Sequence, residues 1–334
     1  MAHMAVFGAG SWGTALAFVA ASNGHDVCLW CRRAQQARAI TATGRNPDYL
    51  PELPLPSNLN ATGSLAEAAV FGERWIAAVP FQALREVWQH LKPLAPRNLR
   101  VCNAARGVEA VTGLTGSNLC HEVLPGAVYS VLGGPAFPED VAERRATAVV
   151  VASSLMEEAL EWQVLLDAPA FRVFSSMDVR GLEATMANSV TAIAAGMVRG
   201  LGMGDAAMTA VVTLGMAEIA RRARTVKGVP GTVLGLGGAG DLWRFCTENS
   251  REFRLGVLLG RGSSPEDALK ELEHTVEGYA TTRALAFEGS PLVRAVAHVL
   301  FERGKPLETL ETLLKDAPLG GDFTDEELQE MGSR

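Results

Sequence analysis

Three groups of residues in this chain have types and spacings that can do chemistry. The first is Gly8-Ala9-Gly10-Ser11-Trp12-Gly13, which lies between an apolar run, Met4–Phe7, and an apolar helical pattern reaching Ala21. Glycines at these places suit a phosphate cradle: Gly8 permits a tight turn, Gly10 lets backbone approach a pyrophosphate, and Gly13 lets the helix pack on the strand. The helix N-terminus then offers N–H groups and a positive dipole end to the phosphates of a dinucleotide. A plain glycine turn is the alternative. The second group is Arg32-Arg33, just after the expected end of the next strand near Trp30. Sites that prefer NAD often carry a carboxylate there for the ribose hydroxyls, and none stands here. Two guanidinium groups fit a 2′-phosphate, which favours NADP or the use of both NADP and NAD; a solvated basic turn is the other reading. The third is Asp241, which ends the turn Gly238-Ala239-Gly240. A carboxylate there can orient a catalytic partner or a substrate hydroxyl, or cap a helix.

The pair Cys28 and Cys31 spells C-x-x-C, a spacing used in redox and zinc sites. It lies on an expected strand, where positions three apart point to opposite faces, and no second pair of ligands accompanies it. The six histidines form no metal-binding pattern, so no metal is expected.

The elements that must position these groups follow from the hydrophobic pattern. Short apolar runs at Met4–Phe7, Val27–Trp30, Trp75–Val79, Arg100–Asn103, Val128–Leu132 and Ala148–Ala152 alternate with helical patterns, and Phe171–Phe174 closes the series. Such alternation builds a mostly parallel sheet covered by helices. Pro80 and the segment Pro51–Pro56 mark loops. From Asp178 onward the pattern turns helical, at Leu182–Val198, Ala206–Val226, Pro265–Leu272 and Gly278–Phe287. The expected fold is α/β: a Rossmann-type domain over 1–178 followed by an all-helical domain over 179–334.

Composition narrows the function classes. The chain has 334 residues, 48% of them hydrophobic, and a net charge of −7, which disfavours nucleic acid and anionic membranes as partners. The uncharged stretch Ala184–Val198 is too short to span a bilayer and reads as a buried helix. No secretory signal is evident and the five cysteines suit reduced thiols, so the cytoplasm is the expected location. A small-molecule substrate is the expected partner, and a remote apolar face would allow a homodimer. The acidic segment Asp322–Glu330 reads as a solvated end. Lysine is scarce: Lys92, Lys227, Lys270, Lys305 and Lys315 are the only five among 30 basic residues.

Taken together, Gly8–Ala15, Leu29–Arg33, Tyr49-Leu50-Pro51, Gly133–Val141, Asp178–Gly200, Gly238–Leu242, Ser250–Gly256 and Val276-Glu277-Gly278 resemble, in order and over almost the whole chain, the bacterial NAD(P)-dependent glycerol-3-phosphate dehydrogenases. The resemblance implies a Rossmann domain followed by a helical domain, and reduction of dihydroxyacetone phosphate by NADH or NADPH to sn-glycerol 3-phosphate for glycerophospholipid metabolism. It implies cofactor roles for Ser11, Trp12, Arg32, Pro138 and Glu277. It puts Gly134, Ala136, Asp241, Phe245, Ser250, Arg251 and Glu252 on substrate-site positions, with Arg251 also near the cofactor.

The departures from that family fall on its chemistry. The family lysine implied in proton transfer is Asn188 here, and a second family lysine is Arg106, so these two, with Asp241, stand at the catalytic positions. Asn188 can donate a hydrogen bond without releasing a proton, and Arg106 holds a permanent charge. At the phosphate end, the family's asparagine and threonine are Glu252 and Phe245, and Ala136 and Pro138 replace a serine and an alanine. A carboxylate beside a phosphate repels it unless it turns away or is neutralised. The expected activity is an NAD(P)H-dependent reductase for dihydroxyacetone phosphate or a related small carbonyl compound. The alternative is a non-catalytic NAD(P)-binding protein that signals cofactor occupancy.

Overall fold

The computed structural model describes residues 1–272, 275–286 and 289–316. The chain forms two compact units, a sheet unit of Met1–Arg106 and Leu114–Glu183, and a helical unit of Gly107–Gly113 with the chain from Ala184 onward.

In the sheet unit the strands are β1 (His3–Phe7), β2 (Asp26–Trp30), β3 (Leu59–Thr62), β4 (Arg74–Ala77), β5 (Arg100–Asn103), β6 (Val128–Gly133), β7 (Thr147–Ser153) and β8 (Phe171–Ser176). The helices between them are α1 (Ser11–Ser22), α2 (Ala34–Thr43), α3 (Leu65–Val70), α4 (Leu84–Leu91), α5 (Gly116–Val123), α6 (Pro138–Ala142) and α7 (Met156–Leu166). One sheet runs in the order β3-β2-β1-β4-β5-β6-β7-β8, parallel throughout except between β6 and β7. Strand β1 is buried on both faces: Met4 and Val6 join one core with Leu16 and Trp162, while Ala5 and Phe7 join the other with Trp75 and Trp88. A sheet covered on both sides needs such continuous apolar strands, which is why they are legible as runs. The order reverses direction at β1, so the crevice beyond the C-terminal ends of β1 and β4 is the place where such sheets bind ligands.

Helix α8 (Val179–Ala184) carries the chain into the helical unit. There follow α9 (Asn188–Leu201), α10 (Asp205–Thr225), α11 (Asp241–Phe245), α12 (Arg251–Gly260), α13 (Pro265–Glu271), α14 (Glu277–Leu285), α15 (Pro291–Phe301) and α16 (Pro306–Asp316). Every residue of α9 from Asn188 to Val198 is buried, as expected of a helix at the centre of a bundle. Its Gly196 and Gly200 meet Gly256 and Gly260 of α12; a methyl on Gly196 would lie 2.9 Å from the Gly256 Cα, and one on Gly260 3.0 Å from the Gly200 Cα. Glycines one turn apart on both helices thus let the two backbones touch.

Some expectations needed correction. The helix expected over Leu182–Val198 is interrupted by a 3-10 turn at Thr185–Ala187, and no glycine or proline marks that break. Strand β3 was not expected, because Leu-Asn-Ala-Thr carries little strand signal; its pairing with β2 creates it. The last residue expected of the helix Gly278–Phe287 and the acidic segment Asp322–Glu330 lie outside the described residues. Among the described residues no helix is long and apolar enough to cross a membrane.

Candidate active site

In the sheet unit, Gly8 has φ +114° and sits so close to the next strand that a methyl on it would lie 2.6 Å from the Ala78 carbonyl oxygen. A methyl on Gly13 would run into the Gly8 carbonyl, whereas at Gly10 it would meet nothing within 4 Å. The first and third glycines are therefore demanded by packing and the second by open space, which is the pattern a pyrophosphate needs. Gly10 is the N-cap of α1 and has no side chain to accept from the first turn, so the N–H groups of Ser11, Trp12 and Gly13 lack a side-chain cap. The residues fit a dinucleotide.

Two residues that spacing did not single out hold this loop. The Ala9 carbonyl accepts from Gln36 Nε2 at 2.8 Å and from Asn46 Nδ2 at 3.0 Å, and Asn46 Nδ2 also donates to Thr14 Oγ1 at 2.7 Å. All three polar side chains are buried, so the network stiffens the turn. No pattern in the sequence marks them, because the contacts span 27 and 37 residues. Trp12 packs its ring 6.4 Å from that of Phe171.

Beyond β2, Arg32 is exposed and makes no hydrogen bond or ion pair with any described residue, while Arg33 Nη2 pairs with Asp48 at 2.6 Å. The two arginines are thus not equivalent. Cys28 and Cys31 point into opposite cores, and burial pushes their thiols up to about 12 and about 11 respectively. Such thiols are inert, and among the described residues no cluster of metal-ligating side chains occurs.

At the far end of the same sheet edge, Arg106 follows β5 and is half-buried; a methyl on Gly133 would lie 3.4 Å from its Nη1. Gly134 has φ +134° and abuts Val149, and Ala136 is buried beside it. Pro138 is the first residue of α6.

In the helical unit, Asn188 is the first residue of α9 and Asp241 the first of α11, and both are fully buried. A π-helical turn, Leu236–Gly240, joins them: Asn188 Nδ2 donates to the Gly238 carbonyl at 3.0 Å. Since a carbonyl can only accept, the amide nitrogen must face Gly238, leaving Oδ1 buried without a hydrogen-bond partner. One donor of Asn188 is thereby spent on holding the turn. Asp241 Oδ1 accepts from Arg244 Nε at 3.0 Å, and the Arg244 guanidinium carbon lies 4.1 Å from the Phe245 ring centroid. Arg244 was not singled out from the sequence; a cation one turn beyond a buried aspartate was the available signal.

Ser250 caps α12: its Oγ accepts from the Phe253 N–H at 3.4 Å and donates to Glu252 Oε2 at 3.1 Å. A hydroxyl has one proton, so the donor of Ser250 is committed to the Glu252 carboxylate. Glu252 is buried, and a methyl on Gly278 would lie 2.9 Å from its Cγ. Arg251 is exposed, with a long 3.5 Å contact to the Thr275 carbonyl, and Glu277 begins α14.

Comparison with known proteins agrees with both halves. The family profile described as NAD-dependent glycerol-3-phosphate dehydrogenase N-terminus matches residues 3–159, and that of the C-terminus matches 178–311. A glycerol-3-phosphate dehydrogenase (NAD(P)+) of Bacillus cytotoxicus is 41% identical over 313 residues, covering 90% of this chain and 92% of the relative. That of Bacillus subtilis is 38% identical over 326 residues, covering 94% of each. The crystal structure of glycerol-3-phosphate dehydrogenase from Coxiella burnetii superposes with a TM-score of 0.87 at 33% identity, covering 94% of this chain and 99% of that one. With both family profiles matched, over residues 3–159 and 178–311, and relatives of about 40% identity covered almost end to end, this chain belongs to the NAD-dependent glycerol-3-phosphate dehydrogenase family.

Proposed function

We propose that the chain is an NAD(P)H-dependent reductase of a small hydroxy-ketone, with dihydroxyacetone phosphate, the oxidised form of the glycerol 3-phosphate in its relatives' names, handled through an altered site. The observation that carries the reading is the glycine loop, where two glycines are required by packing and Gly10 opens onto empty space. The names of the relatives favour a reductase over a non-catalytic cofactor binder.

The cofactor, when bound, supplies a hydride to the carbonyl carbon. Gly8, Gly10, Ser11, Trp12 and Gly13 would hold its pyrophosphate, and Arg32 and Arg33 would take the adenosine end; Pro138, Arg251 and Glu277 would complete the cofactor side. The sheet unit is thus the NAD(P)-binding domain and the helical unit the substrate domain. Asp241 fixes the Arg244 guanidinium. Arg106 and Arg244 are each a permanent positive charge of the kind that stabilises a developing alkoxide. Asn188 braces the turn that carries Asp241. None of Asn188, Arg106 and Arg244 releases a proton at neutral pH, so the proton comes from water. Gly134, Ala136, Phe245, Ser250 and Glu252 shape the substrate's other end, where the Glu252 carboxylate favours an uncharged or cationic group over a phosphate dianion. The protein works in the cytoplasm as a homodimer; Met156, Leu160 and Val164, exposed along one face of α7, suit a partner subunit.

The test is NADPH oxidation with paired phosphorylated and unphosphorylated ketones. Turnover supports the reading, and cofactor binding without turnover on any carbonyl compound refutes it.

A further inference from the structure

The sheet unit contains a buried hydrogen-bonded network that no step above uses. Glu183 Oε1 accepts from the Ser117 backbone N–H at 2.7 Å and from the Tyr129 hydroxyl at 2.8 Å, and Oε2 accepts from Ser117 Oγ at 2.6 Å. The Tyr129 oxygen in turn accepts from Asn103 Nδ2 at 3.1 Å, and Asn103 Oδ1 accepts from the Ala105 N–H at 3.1 Å. Glu183 and Asn103 are buried. Burial pushes the Glu183 carboxyl and the Tyr129 hydroxyl above their ordinary values.

A buried carboxyl whose hydrogen-bond partners, Ser117, Thr115 and Tyr129, are all neutral is a costly way to stabilise a fold. A fully connected polar network does, however, specify one geometry, because each member has a single arrangement that satisfies it. The packing leaves little slack: a methyl on Gly116 would lie 2.5 Å from Asn103 Nδ2.

The network ends on Ala105, the residue before Arg106. A methyl on Gly133 would meet both Arg106 Nη1, at 3.4 Å, and Leu182 Cδ1, at 3.1 Å, so both side chains lie close to that glycine. Leu182 immediately precedes Glu183. The carboxyl is thus linked through Tyr129 and Asn103 to the backbone next to Arg106.

We propose that Glu183, acting through Tyr129 and Asn103, is the positioning residue that sets Arg106 against the substrate. This rests on the substrate role of Arg106 proposed above. The experiment compares Glu183→Gln, Tyr129→Phe, Arg106→Ala and the doubles with Arg106→Ala. It reads kcat, the NADPH Kd and backbone hydrogen exchange at Ala105 and Arg106. Glu183→Gln and Tyr129→Phe are expected to lower kcat by ~10-fold or more, as a small misplacement of a substrate group does. The NADPH Kd should stay unchanged, exchange at Ala105 and Arg106 should quicken, and neither variant should lower kcat further once Arg106 is alanine. Losses that add to that of Arg106→Ala, or unchanged exchange, overturn the proposal. Should the parent turn over no carbonyl compound, the proposed reaction has failed. Exchange alone then decides: quickening at Ala105 and Arg106 with Gly8–Gly13 unchanged supports the positioning, and no change refutes it. Tyr129→Phe, which keeps the ring, serves if Glu183→Gln does not fold.

Discussion

The Asp241 carboxylate and the Arg244 guanidinium, three residues apart on α11, are joined from Oδ1 to Nε at 3.0 Å, with Asp241 fully buried. The pair puts a fixed cation beside the turn braced by Asn188.

Removing either partner should therefore harm turnover without touching the cofactor. Arg244→Leu and Asp241→Asn are expected to lower kcat by ~10²–10³-fold, the usual cost of losing a charge aimed at a developing oxyanion. Nucleotide fluorescence titration should give an NADPH Kd close to the parent's. A parallel loss of cofactor affinity would indicate a folding role instead.

The two arginines after β2 should separate in the same assay. Exposed Arg32 is the one available to a 2′-phosphate, and a charge-assisted hydrogen bond contributes about 1.5–3 kcal/mol. Arg32→Ala is thus expected to weaken NADPH by ~10–100-fold and NADH little. Arg33→Ala should matter less, since its partner Asp48 is surface-exposed. A clear NADH preference in the parent, unchanged by Arg32→Ala, would contradict this.

The glycine contact between α9 and α12 makes a stability prediction. Gly256→Ala would drive a methyl into the Ile193 carbonyl and to 2.8 Å from the Met197 nitrogen. Backbone cannot yield as a side chain can, so the loss should reach or exceed the ~1–3 kcal/mol typical of overpacking. Denaturant unfolding measures it. A midpoint equal to the parent's would show that the helices separate at no cost.

Acid should act on the sheet unit through His25. Its pKa is lowered from 6.5, first by burial and then by the N-terminal amino group, and its Nδ1 accepts from the Ala2 N–H at 3.3 Å. A base depressed in the folded state adds stability above its unfolded pKa, and that stability is lost as pH falls through the folded value. Unfolding midpoints should hence decline below about pH 6.5, and His25→Asn should flatten that decline. An identical pH profile for the variant would rule the histidine out.

Much of this architecture is written locally. The run Met4–Phe7 and the three glycines after it specify strand, turn and helix with short-range rules, and the structure obeys them. Arg32 and Arg33 were legible as a pair, but their division of labour depends on Asp48, fifteen residues on, whose distance no local pattern sets. The loop anchors Gln36 and Asn46 and the partners of Glu183 arise from long-range packing. The same holds for the break before Asn188, where a continuous apolar run hides the change from α8 to α9 because periodicity reports which face is buried and not where a helix stops.

The most direct test is steady-state NADPH oxidation with dihydroxyacetone phosphate, for the parent, Asn188→Lys, Glu252→Asn and the double variant. Asn188 lacks a transferable proton and the Ser250 hydroxyl donates to Glu252, so on the proposed reading the two ends of the substrate are separately compromised. A missing general acid costs ~10²–10⁴-fold in rate. The account predicts measurable but feeble turnover in the parent and a large gain only in the double variant. A parent rate of roughly 1–10³ per second, ordinary for an enzyme, would contradict it and show that this site reduces the phosphorylated ketone as it stands.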